Sequence, residues 1–171
     1  MPLPEKLGDL HGAIDDLISA KENSKIDSAL FWSCLWHLGR IRIKAEKEEG
    51  IENIKVHLDK FNDWHWRAND LALLGIAQYD LKNNPKKAKI YFSLMFDEYP
   101  KRNGEIDVSK IKRHTYGTDN ALANCRVALN RLKGISEDQT LCDKIQNFKL
   151  KLEKMRSQFL SESFSFLDLK T

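Results

Sequence analysis

The residues of this chain best suited to chemistry are its histidines and cysteines. They are His11, His37, His57, His65, His114, Cys34, Cys125 and Cys142. Zinc ligands and catalytic groups usually come in spaced sets such as H-E-x-x-H or paired cysteines, and the sequence contains none of these. His11 and Asp15 lie one helical turn apart, but two ligands do not complete a metal site. The sequence therefore predicts no catalytic residue, no metal ligand and no cofactor, and the protein is not expected to be an enzyme.

One histidine stands in an aromatic setting that permits two interpretations. His65 lies between Trp64 and Trp66, with Arg67 next in the chain. Tryptophan and arginine are enriched where proteins grip their partners, so this run could hold a ligand by stacking. Aromatic residues at the start of a helix more commonly pack into the core. Both interpretations remain open at the level of sequence.

A basic segment is the strongest candidate for a contact surface. Residues 101–133 carry eight Lys/Arg and three acidic residues, a net charge of +5, although the whole chain has only +3. The plain interpretation of these charges is a solvated loop; as a contact surface, such polarity would steer an acidic protein partner, which we favour over other partners. The same charges would suit phosphates, with a tyrosine to stack on a base, so nucleic acid is the alternative. The predicted partner-binding residues are Lys101, Arg102, Lys110, Lys112, Arg113, His114 and Tyr116.

Length and composition indicate one globular domain. The chain has 171 residues, 42% hydrophobic and 31% charged, which is ordinary for a soluble protein and unlike a disordered one. No apolar run is long enough to span a membrane, and the first residues lack the pattern of a secretory signal. The odd cysteine count without C-x-x-C argues against a disulfide framework. We therefore expect buried free thiols and a cytoplasmic protein.

Hydrophobic periodicity predicts an all-α protein of about seven helices. The second helix, apolar nearly all round, is expected to be central. Residues 101–117 are predicted to be a loop. Residues 1–160 form the predicted domain, and 161–171 a tail that docks on it. The last helix carries one narrow apolar seam, which permits a monomer or a homodimer. The helices are expected near 4–21, 27–47, 51–62, 63–82, 85–100, 118–134 and from Ser136 for about 24 residues.

Residues 64–100 carry the spacing of a known helical repeat. Tyr79, Ala88, Phe92 and Pro100 follow one another at nine, four and eight residues. This resembles the tetratricopeptide repeat, a helical hairpin of about 34 residues with the pattern W-x2-L-G-x2-Y…A-x3-F…P. Leu71, Leu74 and Gly75 stand at the start of the pattern, with Leu71 in place of tryptophan and the set one residue farther from the tyrosine.

The resemblance implies a scaffold that binds another protein. Hairpins over 27–62, 63–100 and 118–157 would stack and present a concave surface, lined by the first helix of each, to a peptide or helix of the partner. A compact irregular bundle of the same helices remains the structural alternative. An adaptor, a chaperone and an immunity-type inhibitor of a toxin all fit this interpretation. A nucleic-acid-associated protein is the second hypothesis, and an enzyme with an unrecognised site is the third.

Overall fold

The computed structural model describes residues 3–135 and 139–168, with side chains described for 9–135 and 139–158. These residues form an all-helical protein with one very short hairpin of strands, which confirms the predicted fold class. The elements are α1 (Leu3–Glu22), α2 (Ala29–Lys44), α3 (Glu49–Lys60), α4 (Trp64–Asp80), α5 (Pro85–Glu98), β1 (Lys101–Arg102), β2 (Glu105–Ile106), α6 (Val108–Arg113), α7 (Gly117–Leu132) and α8 (Gln139–Asp168).

Polar side chains mark where the helices begin. Asp63 accepts a hydrogen bond from the backbone N–H of His65 at 2.9 Å, and Asn84 accepts one from Lys87 at 3.0 Å. Each cap satisfies an amide that has no partner inside the helix. Pro85 occupies the first helical position, where its missing N–H costs nothing. These local signals explain why the starts of α4 and α5 agree with the sequence prediction.

Helix α4, rather than the predicted α2, is the central helix. It packs against α2, α3, α5 and α7, and ten of its residues are buried, compared with five on α2. Small side chains such as Ala68, Ala72 and Ala77 let neighbouring helices approach α4 from several directions. The prediction placed α2 at the centre because apolar residues cover most of its circumference. Four of these are only half-buried, namely Phe31, Trp32, Trp36 and Ile41.

The contacts between consecutive helices include three pairs, α2 with α3, α4 with α5, and α7 with α8, while α1 also packs on α2 and α3 on α4. Two close approaches hold the first two pairs together. A Cβ added at Gly75 would lie 2.4 Å from the ring of Phe92, and one added at Gly50 would lie 2.6 Å from the carbonyl oxygen of Gly39. Only glycine leaves room at such contacts. Phe92 and Ala88 are fully buried in the core.

Two stretches differ from the sequence prediction. The predicted loop over 101–117 contains the β1–β2 hairpin and the six-residue α6, which Ile111 anchors in the core. Helix α8 continues to Asp168 as a 30-residue helix. Its seam residues Leu141, Ile145, Phe148 and Leu152 are buried within the chain. The predicted docking of the 161–171 tail concerns side chains outside the described residues.

Among the residues that the structure describes, none of the helices combines the length and the apolar character that crossing a bilayer requires. Two of the predicted buried free thiols, Cys34 and Cys125, are buried, whereas Cys142 is half-buried. Burial raises the pKa of Cys125 to about 12, so that this thiol stays protonated at neutral pH.

Candidate functional site

A groove of about 300 Å³ runs across the first helices of the three pairs, α2, α4 and α7. Its walls are mainly apolar side chains of α4 and α7, and its polar groups are amides and one guanidinium. This mixture is typical of ligand sites, in which apolar walls supply contact area and a few polar groups fix orientation. The lining residues are Trp36, Arg40, Asn69, Ala72, Leu73, Ile76, Asn120, Ala123, Asn124 and Val127.

Asparagine side chains on α4 and α7 are held in place along the groove. The amide nitrogen of Asn124 donates to Oδ1 of Asn69 at 2.8 Å and to the Tyr99 hydroxyl at 3.1 Å. Asn120 lies one turn before Asn124 and contacts Nε2 of His65 at 2.9 Å. Because an amide side chain has both donors and acceptors, each asparagine keeps further capacity to bind a peptide group.

The α2 side of the groove carries its positive charge. The guanidinium of Arg40 lies 5.4 Å from the centre of the Trp36 ring, within the range of a cation–π contact. The indole N–H of Trp36 donates to Oδ1 of Asp70 at 2.8 Å, which fixes the ring. Arg40 itself is exposed. A fixed platform therefore presents one exposed cation beside an apolar trough.

Next to the groove, three residues bring together groups that can bind a metal. One ligand atom each of Asp63, His65 and His114 lies within 4.8 Å of the other two. The imidazoles of His65 and His114 are stacked, with ring centres 4.0 Å apart. His65 is only 7% exposed, and its Nδ1 has no hydrogen-bond partner. Burial lowers the pKa of His65, and the neighbouring His114 lowers it further, so that the imidazole is neutral at neutral pH.

A second buried histidine, His57, lies on α3, the helix that precedes α4. Nδ1 of His57, on α3, is 2.7 Å from Oδ2 of Asp70, and both side chains are at most 2% exposed. The rings of Phe61 and Trp66 lie against His57, with centres 4.4 and 5.3 Å away. Burial raises the pKa of Asp70, while the hydrogen bonds from His57 and Trp36 oppose the shift. The His57 and Asp70 side chains therefore have their hydrogen-bond partners inside the protein and are closed to ligands.

The predicted partner-binding residues are divided between two settings. Lys101, Arg102, Lys110, Lys112 and Arg113 are exposed on the hairpin and on α6. Tyr116 is 74% exposed and His114 is half-buried against His65 and Trp64. His114 therefore differs from the five cations in burial, because it packs against other rings while they face solvent. Further along the segment, Arg131 pairs with Asp80 and Arg126 lies 3.9 Å from Glu153, so part of the positive charge serves the fold.

The aromatic run around His65 packs inward. Trp64 contacts Tyr99, and Trp66 contacts Trp36, with ring centres 5.9 and 5.6 Å apart. Arg67 forms an ion pair with Glu98 at 2.8 Å. These side chains hold helices together, as the packing interpretation expected, and His65 is the member of the run with an unpartnered polar atom.

The groove and the histidine cluster were missed at the sequence level. Asn120 and Asn124 are one turn apart on a predicted helix, which is a weak signal for a shared face. Asn69 and Arg40 join them only through the packing of α2, α4 and α7. His114 reaches His65 across a long separation in sequence, through the short α6 and the turn that follows it.

No family model, curated protein or solved structure shows significant similarity to this chain. The functional argument therefore rests on the chemistry of the groove and of the histidine cluster.

Proposed function

We propose that this protein is an interaction scaffold that binds an extended, acidic and apolar peptide segment of a partner protein in the α2–α4–α7 groove. The observation that carries the proposal is the groove itself, in which asparagine amides, an exposed arginine and apolar side chains line one trough across three helices. Stacked helix pairs commonly bind peptides along the surface formed by their first helices.

The amides suit a peptide backbone. An asparagine side chain can donate to a carbonyl and accept from an N–H, which matches the two groups that each peptide unit presents. Asn69 and Asn124 bond to one another, so they are already ordered before a ligand arrives. Preorganised groups lose less entropy on binding, which raises affinity. Leu73, Ile76 and Val127 would contact apolar side chains of the bound segment.

Charge favours an acidic segment. Arg40 is exposed at one wall, and the basic hairpin and α6 lead directly into α7, which forms the other wall. Basic groups near a binding site increase the rate of encounter with an acidic partner. In this proposal the exposed cations of residues 101–113 steer the partner, and the groove supplies the specific contacts.

A displayed library of random peptides, selected on the immobilised full-length protein, tests the proposal. We expect enrichment of sequences that combine Asp or Glu with apolar residues. Leu73→Glu should weaken their binding at least tenfold, because it places a charge in the apolar trough. Binding would be measured by fluorescence anisotropy with labelled copies of the selected peptides.

Leu150→Glu is the matched control, because Leu150 is 52% exposed on α8, away from the groove lining. This variant should bind the selected peptides as the wild type does. Equal losses in the two variants, or peptides that ignore Leu73→Glu, would reject the groove as the binding site.

Nucleic acid remains the second candidate, supported by the exposed cations on α6 and the exposed Tyr116. It predicts binding that weakens steeply with salt and is lost when Lys110, Lys112 and Arg113 are reversed to Glu. Because Arg126 and Arg131 already have acidic neighbours, the charge left for phosphates is smaller than the sequence suggests. Salt-insensitive or absent binding of single-stranded RNA and DNA would remove this candidate.

A further inference from the structure

The orphaned nitrogen of His65 calls for an explanation. Within the part of the chain that the structure describes, His65 Nδ1 is the one buried side-chain nitrogen or oxygen that has no hydrogen-bond partner. Leaving a buried polar group unsatisfied costs about 1–3 kcal/mol. Such atoms are rare in folded proteins and commonly mark a site for a ligand, an ion or a water.

The hydrogen bond that each histidine makes at its other ring nitrogen decides which nitrogen can bind a metal. Nδ1 of His114 lies 2.8 Å from the carbonyl oxygen of Thr115, which can only accept, so Nδ1 carries the proton and Nε2 has a free lone pair. Nε2 of His65 contacts the Asn120 side-chain amide at 2.9 Å. Amide oxygen and nitrogen are assigned from such networks. As placed, the amide nitrogen of Asn120 faces Nε2 of His65, so Nε2 accepts and Nδ1 carries the proton. Metal binding therefore requires the Asn120 amide to turn over, which brings its oxygen to Nε2, so that Nε2–H donates and Nδ1 has a lone pair for the ion.

Asp63 adds an anionic ligand at the same place. One of its oxygens caps α4 by accepting from the backbone N–H of His65, which leaves the second oxygen for an ion. The capping bond also ties the carboxylate to the residue that carries the orphaned nitrogen. Metal ligands are typically oriented by hydrogen bonds of this kind to groups behind them.

We propose that Asp63, His65 and His114 form a binding site for a divalent transition-metal ion of the zinc class. Two neutral imidazoles and a carboxylate match the ligand preferences of zinc and its neighbours, whereas magnesium and calcium prefer oxygen ligands alone. Three protein ligands leave a further position open, which water or a group of a bound partner would occupy.

Binding requires a defined adjustment at His114. Zinc holds its nitrogen ligands at about 2.0–2.1 Å, so the ligand atoms must move closer than their present spread of up to 4.8 Å. The lone pairs of two stacked imidazoles lie in two nearly parallel planes, so one ring must turn for both to reach the same ion. His114 is half-buried in the connection between α6 and α7, whereas His65 is held within α4. We therefore expect His114 to turn and His65 to stay.

The site is connected to the groove through a single side chain. Asn120 lines the groove and also contacts His65. A bound ion would fix His65 and, through it, the orientation of the Asn120 amide. This connection goes beyond the proposed peptide binding and does not depend on it, because the ion can be tested on the protein alone.

The site is tested by isothermal titration calorimetry, in which Zn²⁺ is added to the metal-free, full-length protein. We expect one ion per chain. Titration with Co²⁺ should produce visible absorption bands of an ion with nitrogen and oxygen ligands. His114→Ala should lower the affinity for Zn²⁺ by more than about 100-fold, and Asn120→Ala by about 10–100-fold, the range found for groups that orient ligands. Asp63→Asn keeps a helix cap but removes the charge, and it should also weaken binding.

His11→Ala is the matched control, because His11 is exposed on α1 with Asp15 one turn away. It should bind zinc as the wild type does, and so should Cys142→Ser, which removes the half-buried thiol. Both His114→Ala and Asp63→Asn alter residues outside the core, so far-ultraviolet circular dichroism should show folded proteins. Zinc affinity that is unchanged in His114→Ala, or absent in the wild type, would overturn the proposal.

Discussion

His57 and His65 are two buried histidines that differ in their hydrogen-bond partners. His57 is 2% exposed and faces the Asp70 carboxylate at 2.7 Å, inside a wall of aromatic rings. His65 is 7% exposed, has a neutral amide at one nitrogen and leaves the other unpartnered. The two residues are close in sequence and similarly buried. Burial alone therefore does not distinguish a histidine that stabilises the fold from one that is positioned to bind a ligand.

The difference between the two regions lies in how completely their polar groups are paired. Around Asp70, one carboxylate accepts from His57 and from Trp36, so each of its oxygens has a partner. Around His65, an unpartnered ring nitrogen belongs to a group whose other members are a second imidazole and a carboxylate, with one ligand atom of each residue within 4.8 Å of the other two. Groups that are paired internally stabilise the chain, whereas a buried ring nitrogen left unpartnered beside an imidazole and a carboxylate is placed to bind a cation.

The largest effect is expected where the pairing is complete. Asp70→Ala removes the carboxylate that pairs with His57 and Trp36, and breaking such a buried pair costs about 3–5 kcal/mol of unfolding free energy. Urea denaturation followed by circular dichroism would measure the loss. Asp80→Ala, on the same helix, removes the exposed partner of Arg131 and should cost at most about 1 kcal/mol. Similar losses in the two variants would contradict the view that burial of the pair matters.

Replacing each histidine by phenylalanine sharpens the comparison. His57→Phe leaves the Asp70 carboxylate buried without its main partner, and we expect a loss of about 3 kcal/mol. His65→Phe gives up one hydrogen bond to Asn120 but also removes the orphaned nitrogen, and these terms are similar in size. The unfolding free energy should therefore change by less than about 1 kcal/mol. If both variants lost the same stability, His65 would be a core residue like His57.

Local sequence signals predicted the elements better than the site. The Asn84–Pro85 start and the apolar seam of α8 are signals within single helices, and the structure agrees with both. Helix α6 was missed because six residues give too short a pattern, and its stability depends on burying Ile111. The contact of His114 with His65 depends on that helix and on the turn after it. A tertiary contact of this kind has no periodic signal in the sequence.

The smallest effect is expected at the turn that places His114. Tyr116 has φ of 60°, in the left-handed region, which costs a residue with a side chain about 1–2 kcal/mol relative to glycine. Its ring is 74% exposed, so little packing offsets this cost. Tyr116→Gly relieves the strain but makes the unfolded chain more flexible, so the net gain in unfolding free energy should be about 0.5–1 kcal/mol.

Tyr116→Ala separates backbone strain from loss of the ring, because alanine removes the ring and keeps the cost of the left-handed conformation. Urea denaturation should therefore place the alanine variant at or below the wild type and the glycine variant above both. If the two variants are equally stable, the turn carries no strain. A gain for glycine alone would mean that the turn beside the unpartnered histidine nitrogen carries backbone strain. Strain retained at such a place is typical of sites that act on a ligand, since the fold itself gains nothing from it.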